Sequence, residues 1–310
     1  VMITGTNPII SNQFAADPTA RVFNGKLYVF PSHDIPSVIT HHDGSAWFSM
    51  ADYHVFSSED LTTWTDHGVI VTQEDVPWGR PDAYSMWAPD CVERNGKYYF
   101  YFPNASKTGG FAVGVAIADN PEGPYEILPE PIKGINGIDP CVLQASDGNA
   151  YIFWGNRYCY YAKLKENMIE IDGEITKLEF DQRWPFTEAA WVHKANGKYY
   201  LTYATGWPEK MAYAMADDIN GPWEFKGLVS ECASNCNTTH PAIVEHKGRT
   251  YMFTHNGTLP QGTSYSRSVT VEEVKYNPDG TMQKCDMTTE GINGGFDTCS
   301  SCCLLYTSDA

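Results

Sequence analysis

Along this chain apolar and polar positions alternate in short runs rich in aromatic and β-branched residues, and five of these runs begin directly after a glycine-centred turn. The turns are Asn24-Gly25, Asn95-Gly96, Asp147-Gly148, Asn196-Gly197 and Lys247-Gly248, and each leads into a tyrosine-bearing segment such as Lys97-Tyr98-Tyr99. Alternation with period two argues for half-buried strands, and Asn-Gly or Asp-Gly between them supplies the positive φ angles of a tight hairpin. The five glycines lie 71, 52, 49 and 51 residues apart. A repeat near 50 residues carrying several strands is the signature of propeller blades. No heptads and no sustained helical period interrupt it. The pattern predicts an all-β fold, a five-bladed β-propeller forming one domain over residues 1–285, with 286–310 as an irregular tail.

Smaller repeats agree with this division. The second unit closes on Ala118-Asp119-Asn120-Pro121-Glu122-Gly123-Pro124-Tyr125, and the fourth on the near copy Ala216-Asp217-Asp218-Ile219-Asn220-Gly221-Pro222-Trp223. Residues 160–170 have room for a helical turn, but Tyr160-Tyr161-Ala162-Lys163-Leu164 alternates as a strand does. The first unit carries a long insertion that contains Ser32-His33-Asp34 and His41-His42.

Composition narrows the partners. With 21 basic and 38 acidic residues the formal charge is 21 − 38 = −17. Nucleic acid is thereby disfavoured, because phosphate binding needs basic patches. The same charge argues against an anionic membrane surface, and no stretch approaches the length of a membrane helix. A neutral ligand fits best. No basic segment followed by an apolar core opens the sequence, which favours a cytoplasmic location, with secretion as the alternative. Cys91, Cys141 and Cys159 sit in apolar strand contexts and read as buried thiols. Cys232 and Cys236 could close a small disulfide or remain a reduced pair, and Cys299, Cys302 and Cys303 lie beyond the last repeat.

A few residues upstream of each turn stands an acid or a histidine: Asp17-Pro18, Pro89-Asp90, Asp139-Pro140, Glu188-Ala189 and His240-Pro241. Any one Asp-Pro reads as a strand-entry turn. Recurrence at one repeat position instead places these side chains at the same end of each innermost strand, around the propeller axis. Asp17, Asp139 and Glu188 then offer three carboxyls for the two roles of glycosidic cleavage, a proton donor and a water-activating or attacking carboxylate. Crowding must raise at least one pKa. Glu188, with longer reach and the apolar Phe186, Ala189, Ala190 and Trp191 beside it, reads as the donor, Asp17 as the base, and Asp139 as the group that orients and tunes Glu188.

The segments Phe14-Ala15-Ala16-Asp17-Pro18, Gly137-Ile138-Asp139-Pro140, Thr187-Glu188-Ala189 and Thr239-His240-Pro241-Ala242-Ile243-Val244 together resemble glycoside hydrolase family 43. The resemblance covers residues 7–285, in the family's order, with Ala189 where many members have glycine. It implies a five-bladed propeller acting as an inverting β-xylosidase, α-L-arabinofuranosidase or arabinanase on neutral pentose oligosaccharides. Asp17 matches the general base, Asp139 the pKa modulator and Glu188 the general acid. It further implies that His240 lies on the axis beneath the sugar, where relatives hold a calcium ion through this imidazole and several waters. An axial histidine that only hydrogen-bonds an acid or a water is the competing reading. Arg267 matches an arginine that reaches the terminal sugar.

Other substrate-binding candidates come from position. Trp87 stands at the funnel mouth as a stacking platform or a buried blade tryptophan. His33 and Asp34 begin the first-unit insertion, and Asn156 and Thr205 occupy matching strand ends in units three and four. Exo-acting release of terminal xylose, arabinofuranose, or both from xylo-oligosaccharides or arabinoxylan is the expected function. The alternatives are arabinofuranosidase or arabinanase as the main activity, or a non-catalytic carbohydrate-binding propeller. Protein-interaction propellers carry Gly-His and Trp-Asp repeats absent here. Fructan-cleaving enzymes normally bear Asn-Asp-Pro-Asn-Gly where this chain has Ala-Asp-Pro-Thr-Ala.

Overall fold

The computed structural model describes residues 1–3, 6–231 and 233–292. Five antiparallel sheets succeed one another along the chain, the first of five strands, the next three of four and the last of three. Their innermost strands are Ala15–Phe23, Asp90–Arg94, Cys141–Gln144, Phe186–Ala195 and Ala242–His246. Each touches the next in that order, and the fifth touches the first. This closed ring of inner strands makes the molecule a five-bladed propeller.

The glycine turns do what their chemistry requires. Four join the two innermost strands of a blade with two residues at positive φ, as at Asn24 (53°) and Gly25 (77°), between the paired Phe23 and Lys26. Asn95-Gly96, Asn196-Gly197 and Lys247-Gly248 behave the same way. Blade three differs: its pairing starts at Gln144 and Ala150, leaving a longer loop. There the Asp147 carboxylate accepts the Asn149 N–H at 2.9 Å and the Tyr151 hydroxyl at 2.7 Å, doing the work of a second positive-φ residue. The repeated closing segments also correspond, since Asp119 pairs with Lys97 in blade two and Asp217 with Lys198 in blade four. Residues Tyr160–Lys163 form a strand, as their alternation predicts.

Large apolar side chains fill the wedges between blades. Phe30, Tyr53, Phe100 and Phe102 pack between the first and second, and Tyr101, Val115, Ile152 and Trp154 between the second and third. Trp64 is wholly buried, with its indole N–H donated to the Leu61 carbonyl at 3.1 Å. Cys91, Cys141 and Cys159 are buried free thiols.

Ring closure uses the N-terminal stretch. Ile9 donates its N–H to Val269 at 2.8 Å, and the Asn7 amide both donates to and accepts from the Val271 backbone. This lays residues 7–10 along the blade-five strand Ser268–Val274, beyond which blade five has no further strand among the described residues. The chain stays attached past residue 285, the boundary expected from the repeats. Asp286 accepts the Glu231 N–H at 2.7 Å, and the Thr288 hydroxyl donates to Glu272 at 2.9 Å. Cys232 and the cysteines at 299, 302 and 303 lie outside the described residues, while Cys236 is a buried free thiol.

Candidate active site

The recurring acid positions all fall at the start of an innermost strand, and at three of them the backbone is bent. Asp17 (φ 46°) and Asp139 (φ 60°) take left-handed conformations before proline, and Ala189 (φ 64°) does so directly after Glu188. The strands of Asp17 and Glu188 carry register breaks at those points. An extra residue in a strand re-aims its side chain, and these bulges turn the acids toward the axis. Blade two differs by one position, with Asp90 after its proline instead of before it. A one-residue slip reverses the face on which a strand residue points.

Asp90 accordingly leaves the funnel. It is fully buried and accepts from the Thr19 hydroxyl (2.5 Å), from Arg21 (2.7 Å) and from the Val142 N–H (2.7 Å). Arg21 in turn donates to the Val142 carbonyl at 3.0 Å and lies 4.3 Å over the Trp191 ring. One ion pair thus ties the inner strands of blades one to four.

The funnel itself is organised by Arg267, whose exposure is 1%. Its Nε and Nη2 donate to the two oxygens of Asp34 at 2.9 and 3.0 Å, and its Nη1 and Nη2 to the two oxygens of Asp17 at 3.2 Å each. Phe48 covers the guanidinium at 4.9 Å. Asp17 also accepts the Ser32 hydroxyl at 2.8 Å, and its own N–H donates to His255 Nδ1 at 3.0 Å. His240 Nδ1 stands 3.6 Å from its Oδ1. Burial alone would raise the Asp17 carboxyl, but Arg267, His255, His240 and Ser32 outweigh it and hold it well below the usual carboxylate range.

The other carboxyls move the opposite way. Burial raises Glu188, and the charge of Asp17 across the funnel adds to this, while hydrogen bonds from Glu209 and Asn156 offset part of it. Asn156 Nδ2 donates to Glu188 Oε2 at 2.8 Å. Asp139 is pushed well above its ordinary value by burial and by its neighbours Glu188 and Asp17, although it accepts the Ala189 N–H at 2.9 Å. A fourth carboxyl, Glu209, is fully buried and raised by burial and by Glu188.

The structure therefore brings together Asp17, Asp139, Glu188, His240, Arg267, Asp34 and Asn156. Asp34 has both oxygens engaged by Arg267, so it holds that arginine in place. Thr205 donates its hydroxyl to the Pro185 carbonyl at 2.7 Å and braces the backbone before Glu188. Trp87 stacks on Phe111 at 4.9 Å, and its carbonyl accepts the Tyr53 hydroxyl. His33 departs from expectation. Strand alternation sends Ser32 and Asp34 into the funnel and His33 to the other face, where its Nδ1 meets Asp52 at 2.6 Å near His54.

Glu209 and His255 escape the sequence reading. His255 is the last residue but one of the strand Arg249–Asn256, the second of blade five, near the end that Asn156 and Thr205 mark in blades three and four. The same positional rule extended by one blade finds it. Glu209 stands in a loop with no repeat partner, so no pattern marks it. The cavity of about 420 Å³ lined by Asp147, Lys194, Lys198 and Asp217 lies at the turn end of blades three and four, away from these acids.

Carboxyls displaced in opposite directions from their ordinary range, facing one funnel of a propeller, are the equipment of an enzyme that hydrolyses glycosidic bonds. The chain belongs to the glycosyl hydrolases family 43, whose family model matches residues 5–282. It is 39% identical to xylosidase/arabinosidase 43A of Humicola insolens, over 88% of this chain and 97% of that one. It is 36% identical to a xylosidase/arabinosidase of Bacteroides ovatus, over 94% and 99% of the two chains. A β-xylosidase/α-arabinofuranosidase from a compost microbial metagenome, solved with xylotriose in a calcium-free form, superposes with a TM-score of 0.86. Its identity is 32%, and the match covers 92% of this chain and 98% of that one.

Arg267→Met should destabilise the protein by about 3–5 kcal/mol in urea unfolding, because two buried carboxylates lose their cation. A loss below about 1 kcal/mol would show that the guanidinium does not hold the funnel together.

Proposed function

We propose that the protein is an exo-acting, inverting glycoside hydrolase that removes terminal xylose from xylo-oligosaccharides or arabinoxylan, and accepts terminal L-arabinofuranose more slowly. The observation that carries this reading is the opposite displacement of Asp17 and Glu188 from the ordinary carboxylate range. Glu188 donates its proton to the glycosidic oxygen as the bond to the anomeric carbon breaks. Asp17 accepts a proton from the water that adds to the opposite face. The transition state resembles an oxocarbenium ion, so the attacking water grows acidic as its bond forms, and a weak base suffices. Asp139, whose carboxyl is raised by burial and by Glu188 and accepts the Ala189 N–H, fixes the backbone beside the acid and so keeps it oriented.

The choice of a pentose rests on the relatives. Those from Humicola insolens and Bacteroides ovatus are named xylosidase/arabinosidase, and a family member from Xanthomonas citri, 32% identical with a TM-score of 0.83, was solved with xylose. Trp87, with its face on Phe111, is the proposed sugar contact from this chain, whereas Arg267 spends its N–H groups on Asp17, Asp34 and Thr238 and acts on the sugar only through Asp17.

Calcium is the proposed cofactor. His240 is largely enclosed, and burial shifts its pKa down, toward the neutral ring that a metal ligand must be. The nearest carboxylate, Asp17, already serves Arg267 and Ser32. That leaves one imidazole and water as donors, where calcium ordinarily takes oxygens throughout, so the site would hold the ion weakly. Such an ion would add positive charge beneath the sugar and favour ionised Asp17.

Glu188→Gln should cut turnover of xylobiose about 10³-fold or more, and turnover of nitrophenyl β-xyloside far less, since that leaving group needs little protonation. Equal losses on both substrates would remove Glu188 from the acid role. Assayed side by side, nitrophenyl β-xyloside should give a higher kcat/KM than nitrophenyl α-arabinofuranoside, and the reverse order would make the protein chiefly an arabinofuranosidase. Chelation should lower activity and added calcium restore it, in the wild type but not in His240→Ala; full activity in metal-free protein would defeat the cofactor assignment.

A further inference from the structure

Glu209 has no part in the mechanism above, yet it is among the most completely enclosed carboxyls of the protein, with 0% exposure. It lies in the loop between the strands Lys198–Thr205 and Lys210–Ala216 of blade four, one strand over from Glu188. Its backbone N–H donates to the Asn237 carbonyl at 2.9 Å, and its Oε1 accepts the Thr239 N–H at 3.0 Å. The loop is thus pinned from two sides. Its second oxygen, Oε2, is buried and receives no N–H or hydroxyl from any other described residue. Glu188 pairs with Ala204 on the strand that leads into this loop, and its carboxyl is the neighbour that presses most on Glu209.

Two carboxylates have no hydrogen to share, so a contact between them requires a proton. The charges around the pair decide where it sits. Glu188 and Asp139 both press on Glu209, Asp17 presses on Glu188, and the Thr239 N–H opposes them at Glu209. Arg267 is bonded to Asp17 and Asp34 and acts on Glu188 only at a distance. Glu209 is the more deeply buried partner, and among the described residues no cation pairs with it. It is the partner that keeps a proton.

We propose that Glu209 is a positioning residue for the general acid, a neutral carboxyl that donates a hydrogen bond to Glu188. This rests on the assignment of Glu188 as the proton donor. In the resting enzyme the pair carries two protons: the one on Glu209 points to Glu188, and the one on Glu188 is left free for the glycosidic oxygen. When Glu188 gives up its proton, its new carboxylate finds two donors in place, Glu209 and Asn156. Burial makes Glu188 hold its proton, and Glu209 makes that proton easier to release. Only the Glu188 proton leaves; Glu209 keeps its own throughout the cycle.

The test compares Glu209→Gln, which keeps a neutral donor of the same shape, with Glu209→Met, which keeps the size and removes the donor. kcat/KM on xylobiose is followed against pH, and the alkaline limb reports loss of the Glu188 proton. Glu209→Gln should keep both the limb and the rate within about threefold of wild type. Glu209→Met should move the limb upward by about one pH unit, a tenfold change in acidity. Its turnover of xylobiose should fall about tenfold, with less effect on nitrophenyl β-xyloside. A limb that drops by a unit in Glu209→Gln would mean that Glu209 is ionised, and an unmoved limb in Glu209→Met that it only packs; either overturns the proposal. Should Glu209→Met fail to fold, difference infrared spectra of wild type and Glu209→Gln at neutral pH decide: loss of one neutral carboxylic C=O band supports it, and no loss overturns it. An alkaline limb that survives in Glu188→Gln would overturn the acid assignment itself, and this inference with it.

Discussion

A single buried guanidinium sets the chemistry of this funnel. Five carboxyls, those of Asp17, Asp34, Asp139, Glu188 and Glu209, crowd a space largely closed to water, and Arg267 is the cation among them. A buried carboxylate is tolerated only where a cation or several donors face it. Arg267 is a planar fork with several donors, so it can satisfy Asp17 on one edge and Asp34 on another, which a lysine could not. The carboxyls beyond its reach must lower their charge by holding protons. The proposed division of labour between base and acid therefore follows from where one arginine points.

The propeller is what makes such crowding affordable. Inner strands from five sheets meet around one axis, so residues far apart in the chain approach without long loops. Bulges at Asp17 and Glu188 turn side chains inward that a regular strand would direct elsewhere. Below the funnel the Arg21–Asp90 pair, bonded to Thr19 and to Val142, holds the inner strands in register with one another. Aromatic wedges between blades supply the apolar burial that offsets these polar insertions.

Much of this was legible in the residues. The turn glycines announce five blades because a two-residue hairpin needs positive φ, and few residues other than Gly and Asn accept it. Asp17, Asp139, Glu188 and His240 stand out because the repeat places each at the same strand end. What stayed hidden has a common cause. The reversed order in Pro89-Asp90 sends that acid below the funnel, and alternation turns His33 away while Asp34 faces in; both depend on strand register, which spacing alone does not record. Glu209 lies in a loop, where no periodicity marks a residue, and its meaning comes only from Glu188 beside it.

The central claim is that Asp17 directs water to the face opposite the leaving oxygen instead of attacking the sugar itself. Its oxygens are engaged by Arg267 and Ser32, which suits a group that holds water more than one that must form a bond to carbon. The anomer first released from a β-xyloside, observed by proton NMR before mutarotation, tests this most directly. The account predicts α-xylose at the earliest times, and initial release of β-xylose would contradict it.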